Sequence, residues 1–318
     1  MTWINDIGRN QTNHIYVYSF HETERDLCRM EMRSLFGQAP SSEHLIYSDR
    51  QVDPDRSPFL SLRMDVIYSG STVDEIAKQA ASQQLPEEAT FKVMYVKAGD
   101  SYSYDEQRGL ERLIGSRIQG KAEMKQPDVT LGLLAVDGRW MFGSCEFPKR
   151  DWLKHKHKPQ NYSTGLSITV ARSLLNIAVP DARNCKVIDP CCGMGNVLIE
   201  GLSMGMDIVG GDLNPLAVKG ARVNLKHFGY PEVVSLKDMN EIEGRYDAAI
   251  LDMPYNLCSV ISGEDQHEML SSLRRMTKRA MVVSTQDIHN TLVEAGFTIV
   301  DEGKLAKGNF VRNLWLCI

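Results

Sequence analysis

The sequence predicts an α/β protein in which an α+β module, residues 1–148, precedes a doubly wound domain, residues 165–318, with a basic linker at 149–164. Three observations carry that reading. Beyond residue 185, short apolar runs alternate with helical patterns, the rhythm of a mainly parallel sheet covered on both faces. The first of these runs ends in a glycine-rich turn, Asp189-Pro-Cys-Cys-Gly-Met-Gly-Asn196, that opens directly into a helix. Upstream the rhythm is less regular, and Asp137-Gly138 is a hairpin signal between two strand patterns.

The N-terminal elements read in order as strand His14–Ser19, helix Glu22–Phe36, strands near Leu45 and over Leu60–Tyr68, helix Val73–Gln83, strand Thr90–Val96, helix Tyr104–Gly120, and the hairpin Val129–Val136 with Arg139–Glu146. Period-two alternation marks the strands and a 3.6-residue apolar period the helices, a succession that suits split β-α-β units. Then comes Lys149-Arg-Asp-Trp-Leu-Lys-His-Lys-His-Lys158, with five basic residues against one acid. It reads as a solvated linker or as a phosphate-binding strip built from Lys149, Arg150, Lys154, Lys156 and Lys158. The lysines around His155 and His157 would repel a cation, so no metal is expected.

Helix Leu166–Ala178 precedes the first strand of the second domain. The strands follow at about Lys186–Asp189, Asp207–Asp212, Val233–Leu236, Ala248–Asp252, Ala280–Ser284, Phe297–Asp301 and Phe310–Cys317. Helical patterns between them include Asn196–Met204, Asn214–His227 and Glu264–Arg279. None separates the last two strands, which are expected to form a hairpin.

Composition narrows the function classes. A chain of 318 residues, 42% hydrophobic and 24% charged, has the profile of a soluble globular protein with room for two cores. It has no long apolar run, and its N-terminus lacks the basic and apolar blocks of a signal peptide, so a cytoplasmic location without membrane contact is expected. Seven cysteines with no C-x-x-C spacing argue for reduced thiols and against structural zinc. A net charge of −5 is shared between the halves, so any contact with nucleic-acid phosphate must be local.

The chemistry lies at three strand ends. Asp212 closes the second strand 17 residues after Gly195, close to the spacing at which a second-strand acid reaches a ribose diol. Leu198 stands where a dinucleotide fingerprint needs its third glycine, which disfavours NAD. Asp252-Met-Pro-Tyr255 closes a later apolar strand and should face the same crevice. An exocyclic amine is a poor nucleophile because its lone pair is delocalised, so a site acting on one must align it and accept hydrogen bonds from its protons. Asp252 and the Met253 carbonyl suit that task, Pro254 shapes the turn, and Tyr255 can stack on a base.

With both loops in view, the region resembles an S-adenosylmethionine-dependent amino-methyltransferase, whose members pair a D-P-x-C-G-x-G-type loop with a D/N-P-P-Y/F-type loop. The resemblance implies a Rossmann-like seven-stranded methyltransferase domain. It implies that Asp189, Cys191, Gly193 and Gly195 form the methionine cradle, that Asp212 holds the ribose, and that Asp238 contacts the adenine. Cys191 and Cys192 are expected to pack their thiols in the loop. Ala171-Arg-Ser-Leu-Leu-Asn-Ile-Ala178 resembles a family helix beside the cofactor, which makes Gln160, Tyr162 and Thr164 cofactor neighbours. Met194 and Asn196 stand where the family usually has Ser or Thr, and Met253 where Pro is common.

The segments Phe91-Lys-Val-Met-Tyr-Val-Lys97, Leu113-Ile-Gly115 and Gln126-Pro-Asp-Val-Thr-Leu131 resemble the THUMP domain, an RNA-binding module. A ferredoxin-like or THUMP-like module followed by this catalytic domain is the layout of the THUMP-domain tRNA guanosine-N2-methyltransferases. That resemblance implies formation of N2-methylguanosine in tRNA, at guanosine 10 in its relatives. The same loops also fit an amino-methyltransferase acting on DNA or on a protein glutamine, or a degenerate domain that only binds RNA or cofactor.

Overall fold

The computed structural model describes residues 13–162, 165–254, 262–307 and 310–318. Its elements in chain order are β1 (His14–Tyr18), α1 (Arg25–Phe36), β2 (Leu45–Ser48), β3 (Leu60–Gly70), α2 (Val73–Ala80), β4 (Thr90–Tyr95), α3 (Tyr104–Gly115), β5 (Lys121–Ala122), β6 (Val129–Val136) and β7 (Arg139–Glu146). There follow α4 (Ile168–Ala178), β8 (Lys186–Asp189), α5 (Asn196–Ser203), β9 (Asp207–Asp212), α6 (Pro215–His227), β10 (Val234–Leu236), β11 (Ala248–Asp252), α7 (Gly263–Met276), β12 (Ala280–Ser284), α8 (His289–Glu294), β13 (Ile299–Lys307) and β14 (Phe310–Cys317).

These elements form two compact units. One runs to Ser19 and resumes over Pro40–Lys149; the other comprises Phe20–Ala39 and Arg150–Ile318. The first unit is a sheet in the order β2-β1-β3-β7-β6-β4-β5, whose β4 pairs in parallel with β6 and β5. One face buries Phe91, Leu133 and Phe142 under Ile76 of α2 and Ile114 of α3. The three THUMP-like segments meet here, because Phe91 lies opposite Val129 in the parallel pair that α3 connects. Ser103 caps α3 in a capping box with Glu106, which fixes where that helix starts. β3 and β4 are separated by β7 and β6, a wider spacing than a single split β-α-β unit has.

The second unit is a sheet in the order β10-β9-β8-β11-β12-β14-β13. Its first five strands are parallel, and β14 runs antiparallel to β12 and β13, which makes the expected terminal hairpin. Strand order reverses between β8 and β11, the switch point at which open α/β sheets bind ligands. Phe297, placed by the sequence at the start of the sixth strand, instead lies in the core ahead of β13.

Two boundaries differ from the sequence reading. Helix α1 belongs to the second unit: it packs on α4 and β13, with Glu31 fully buried and accepting a bond from Asn176 Nδ2 at 2.8 Å. The stretch expected to be a linker folds into that unit as well. Asp151–His157 is a 3₁₀ helix, and its three-residue period puts Trp152 and His155 on one buried side while Lys154 and Lys156 stay exposed. His155 Nδ1 lies 2.7 Å from Glu200, which also accepts from Arg172 at 2.8 Å. A charge count cannot reveal that periodicity, which is why the stretch reads as solvated chain.

Candidate active site

The glycine loop is held from below by backbone bonds. Cys192 N–H donates to Gly211 O on β9, and Gly195 N–H donates back to Cys192 O. Gly193 and Gly195 have φ of 51° and 81°, a left-handed conformation in which a side chain would be strained, and Gly195 caps the start of α5. Nothing lies within 4 Å of where a Cβ at Gly193 would be, so the backbone there is open to a ligand.

Asp212 is the hinge of this arrangement. Its Oδ2 accepts the Gly193 N–H at 2.8 Å and its Oδ1 accepts the Asn214 N–H at 2.9 Å. An ionised carboxylate has about four acceptor positions, so two remain for a diol. Asp189, at the end of β8, is 3% exposed and, among the described residues, accepts a long bond from Cys191 N–H at 3.3 Å. Burial raises its pKa well above the carboxylate range, and the charges of Asp212 and Asp252 raise it further.

Across the switch point, β11 ends at Asp252, opposite Val283 of β12. Burial pushes the Asp252 carboxyl up to about 7, against the opposing pull of the Arg312 charge. Its Oδ1 is inaccessible and has no hydrogen-bond partner among the described residues. Met253 is buried and bonded through its N–H to Val283 O, which fixes the backbone after the acid, and Pro254 is exposed. Tyr255 and Thr164 lie outside the described residues.

These strand ends open into one cleft of about 740 Å³. Tyr162, Asp189, Cys191, Gly193, Asp212, Asp238, Asp252, Met253 and Pro254 all line it, so most of the expected cofactor and catalytic residues converge. Asp238 has a local duty too, accepting the Asn240 N–H at 2.8 Å to cap a short 3₁₀ turn. Burial raises the Cys191 and Cys192 thiols, which keeps them neutral, and Cys191 Sγ packs 3.6 Å from Met239 Sδ. Lys149, Arg150, Lys154, Lys156 and Lys158 do not reach the cleft, and Lys158 is half-buried with its ammonium pKa lowered by desolvation.

Sequence reasoning missed the far wall, Asp265, Glu268 and Met269 of α7. Their i, i+3, i+4 spacing marks one helix face, but which helix turns that face to the cleft depends on packing. With them, six carboxylates line the cleft and no Lys, Arg or His does among the described residues. Such a wall attracts a cation and repels a pyrophosphate, which agrees with the missing dinucleotide glycine.

A seven-stranded sheet with this switch-point cleft is of the Rossmann-like class. Residues 155–293 match the UPF0020 family, described as RMKL-like, methyltransferase domain, and the chain is similar in sequence to guanine-N2-methyltransferases of tRNA and of U6 snRNA. The tRNA (guanine(10)-N2)-dimethyltransferase of Methanothermobacter thermautotrophicus is 27% identical over 241 residues, 69% of this chain and 70% of that protein. The mouse U6 snRNA (guanine-N(2))-methyltransferase THUMPD2 is 24% identical over 242 residues, 70% of this chain and 44% of that protein. The crystal structure of TrmN from Thermus thermophilus aligns with a TM-score of 0.50 at 16% identity, covering 96% of this chain and 98% of that one, a likeness of fold.

Proposed function

We propose that this protein is an S-adenosylmethionine-dependent RNA methyltransferase that forms N2-methylguanosine in tRNA, with guanosine 10 as its target. The observation that carries the reading is the convergence of Asp252, Met253 and Pro254 with the glycine loop and Asp212 on one anionic cleft. The cleft's residues fit the cofactor: a net cation suits a lining with six acidic side chains and no basic one among the described residues, the acceptor capacity of Asp212 suits a ribose, and the open backbone at Gly193 suits the methionyl chain.

Once bound, the cofactor supplies an electrophilic methyl on a sulfonium. The chain's own residues do the rest. Asp252 and the Met253 carbonyl accept the hydrogen bonds of a guanine N2 amine and hold its lone pair in line. The Asp252 carboxylate, whose pKa near 7 suits it to take a proton up and release it, would accept the proton that the amine nitrogen gives up when the sulfonium S–C bond breaks, the methyl passes to nitrogen and the thioether leaves. Removing the base from a paired stem costs a few kcal/mol, which contacts elsewhere on the RNA must offset. The THUMP-like unit and the exposed Lys154 and Lys156 are the candidates.

The test is to incubate the protein with labelled S-adenosylmethionine and unmodified tRNA, U6 snRNA or DNA, then digest and identify the methylated nucleoside. N2-methylguanosine from tRNA supports the reading; label in U6 snRNA or DNA alone replaces the acceptor, and no label in any of them overturns the enzyme. Asp252→Ala is expected to lower turnover by about 10²–10⁴ with cofactor affinity retained. Asp212→Ala is expected to weaken the cofactor, and an equal loss in both variants would refute the division of roles.

A further inference from the structure

Helix α6 touches the cleft through Pro215 and Ala217, yet a residue two turns further along, outside the lining, joins two of its rims. Asn224 is fully buried, and its amide makes three hydrogen bonds to two separate segments. Its Oδ1 accepts the Gln160 N–H at 2.8 Å, and its Nδ2 donates to Gln160 O and to Met194 O, each at 2.9 Å. Met194 lies between the two left-handed glycines of the loop, and Gln160 lies two residues before Tyr162; Met194 and Tyr162 both line the cleft.

The same face of α6 seats the loop sterically. A Cβ on Gly220 would fall 2.2 Å from Met194 Sδ, and a Cβ on Gly195 would lie 3.3 Å from that of Ala221. Gly220 thus leaves the space that Met194 fills, at the position where the sequence departs from the Ser or Thr of its resembled family. Only an amide meets the polar demand of this spot. Aspartate has no donors for the two carbonyls, serine has one, and alanine would leave all three backbone groups unpaired.

We infer that Asn224 is a positioning residue for the cofactor site, fixing the Gln160–Tyr162 rim against the glycine loop so that the cleft is formed before the ligand arrives. The inference rests on the reading of the cleft as the S-adenosylmethionine pocket. Preformed geometry contributes to affinity, because a rim that must be ordered on binding subtracts from it.

The experiment measures S-adenosylmethionine and S-adenosylhomocysteine dissociation constants by calorimetry, with Tm and kcat at saturating cofactor, for the wild type, Asn224→Ala, Asn224→Asp and Val218→Ala. Val218 is a buried residue of the same helix that makes no contact of this kind. Both Asn224 variants are expected to bind cofactor about 10- to 100-fold more weakly, while kcat at saturation stays within about threefold of the wild type. Val218→Ala is expected to lower Tm with affinity unchanged. Gly220→Ala gives a second route: it favours the helix while displacing Met194, so affinity should fall without loss of Tm.

Wild-type affinity in Asn224→Ala or Asn224→Asp, or affinity that merely follows Tm through Val218→Ala, would overturn the inference and leave the cofactor reading standing. If the Asn224 variants do not fold, wild-type affinity in Gly220→Ala overturns it. No cofactor binding by the wild type would overturn the cofactor reading itself and this inference with it.

Discussion

At the scale of single residues, the cleft's carboxylates are distinguished by burial. Asp252 has a folded pKa of about 7 against an ordinary 3.8, so a turnover step that needs its carboxylate should rise with pH through about 7. The stability effect has the opposite sign. Between about 4 and 7 the unfolded chain has released this proton and the folded chain retains it, so stability falls as pH rises through that window. Asp252→Asn is therefore expected to be inactive and more stable than the wild type by on the order of a few kcal/mol at pH 8, with little difference at pH 4, as thermal melts at the two pH values would show. Asp189, raised well above the carboxylate range, should ionise when a cation binds beside it. Cofactor binding should then release protons, and calorimetry in buffers of different ionisation heat would detect this as a buffer-dependent enthalpy. The motif residues were legible because their types and spacing encode roles. Their pKa values were not, since burial follows from the packing of β8, β9 and β11.

At the scale of elements, the parallel strands and their helices were legible because β-branched runs and apolar periods repeat, and β6, β7, β12 and β14 fall where the pattern places them. The 3₁₀ helix at Asp151–His157 was not. Its alternation of His and Lys has no apolar period, and its buried face is built from an indole and an imidazole that Glu200 and Arg172 hold, with the Arg172 guanidinium 5.0 Å from the Trp152 ring. The resembled family helix likewise commits its Arg172 to Glu200 and its Asn176 to Glu31. Of the basic strip, Lys149 is exposed ahead of the 3₁₀ helix, and Lys154 and Lys156 are exposed on it. Replacing Lys154 and Lys156 by Ala should weaken RNA binding and reduce the slope of log affinity against log salt by up to about two units. An unchanged slope in a filter-binding titration would remove these lysines from the RNA surface.

At the scale of the whole molecule, the chain's two units are not two consecutive stretches. Helix α1 leaves the N-terminal module to complete the methyltransferase unit, where Arg33 forms two bonds of 2.8 Å with Asp301, and Asp26 accepts the Lys304 N–H at 3.0 Å. A fragment of residues 150–318 would lose these contacts and expose the α4 face that α1 covers. It is expected to unfold at lower temperature than the full chain and to bind a hydrophobic dye. Cooperative unfolding at the full-length Tm would show α1 to be dispensable. No local signal reveals this crossing, because an amphipathic helix looks the same whichever core it joins.

That crossing also sets a clock on biosynthesis. Arg33 leaves the ribosome 268 residues before Asp301. At ordinary elongation speeds of about 5–20 residues per second, α1 waits about 10–50 s for its last partner, while β1 and β2 on either side of it can already pair with each other and β1 with β3. During that interval Leu27, Met30, Met32 and Leu35, all buried at the end, have no finished surface to cover them. The nascent protein should therefore depend on a holding chaperone for most of its translation, and a slower codon stretch between the two units would lengthen that dependence rather than relieve it.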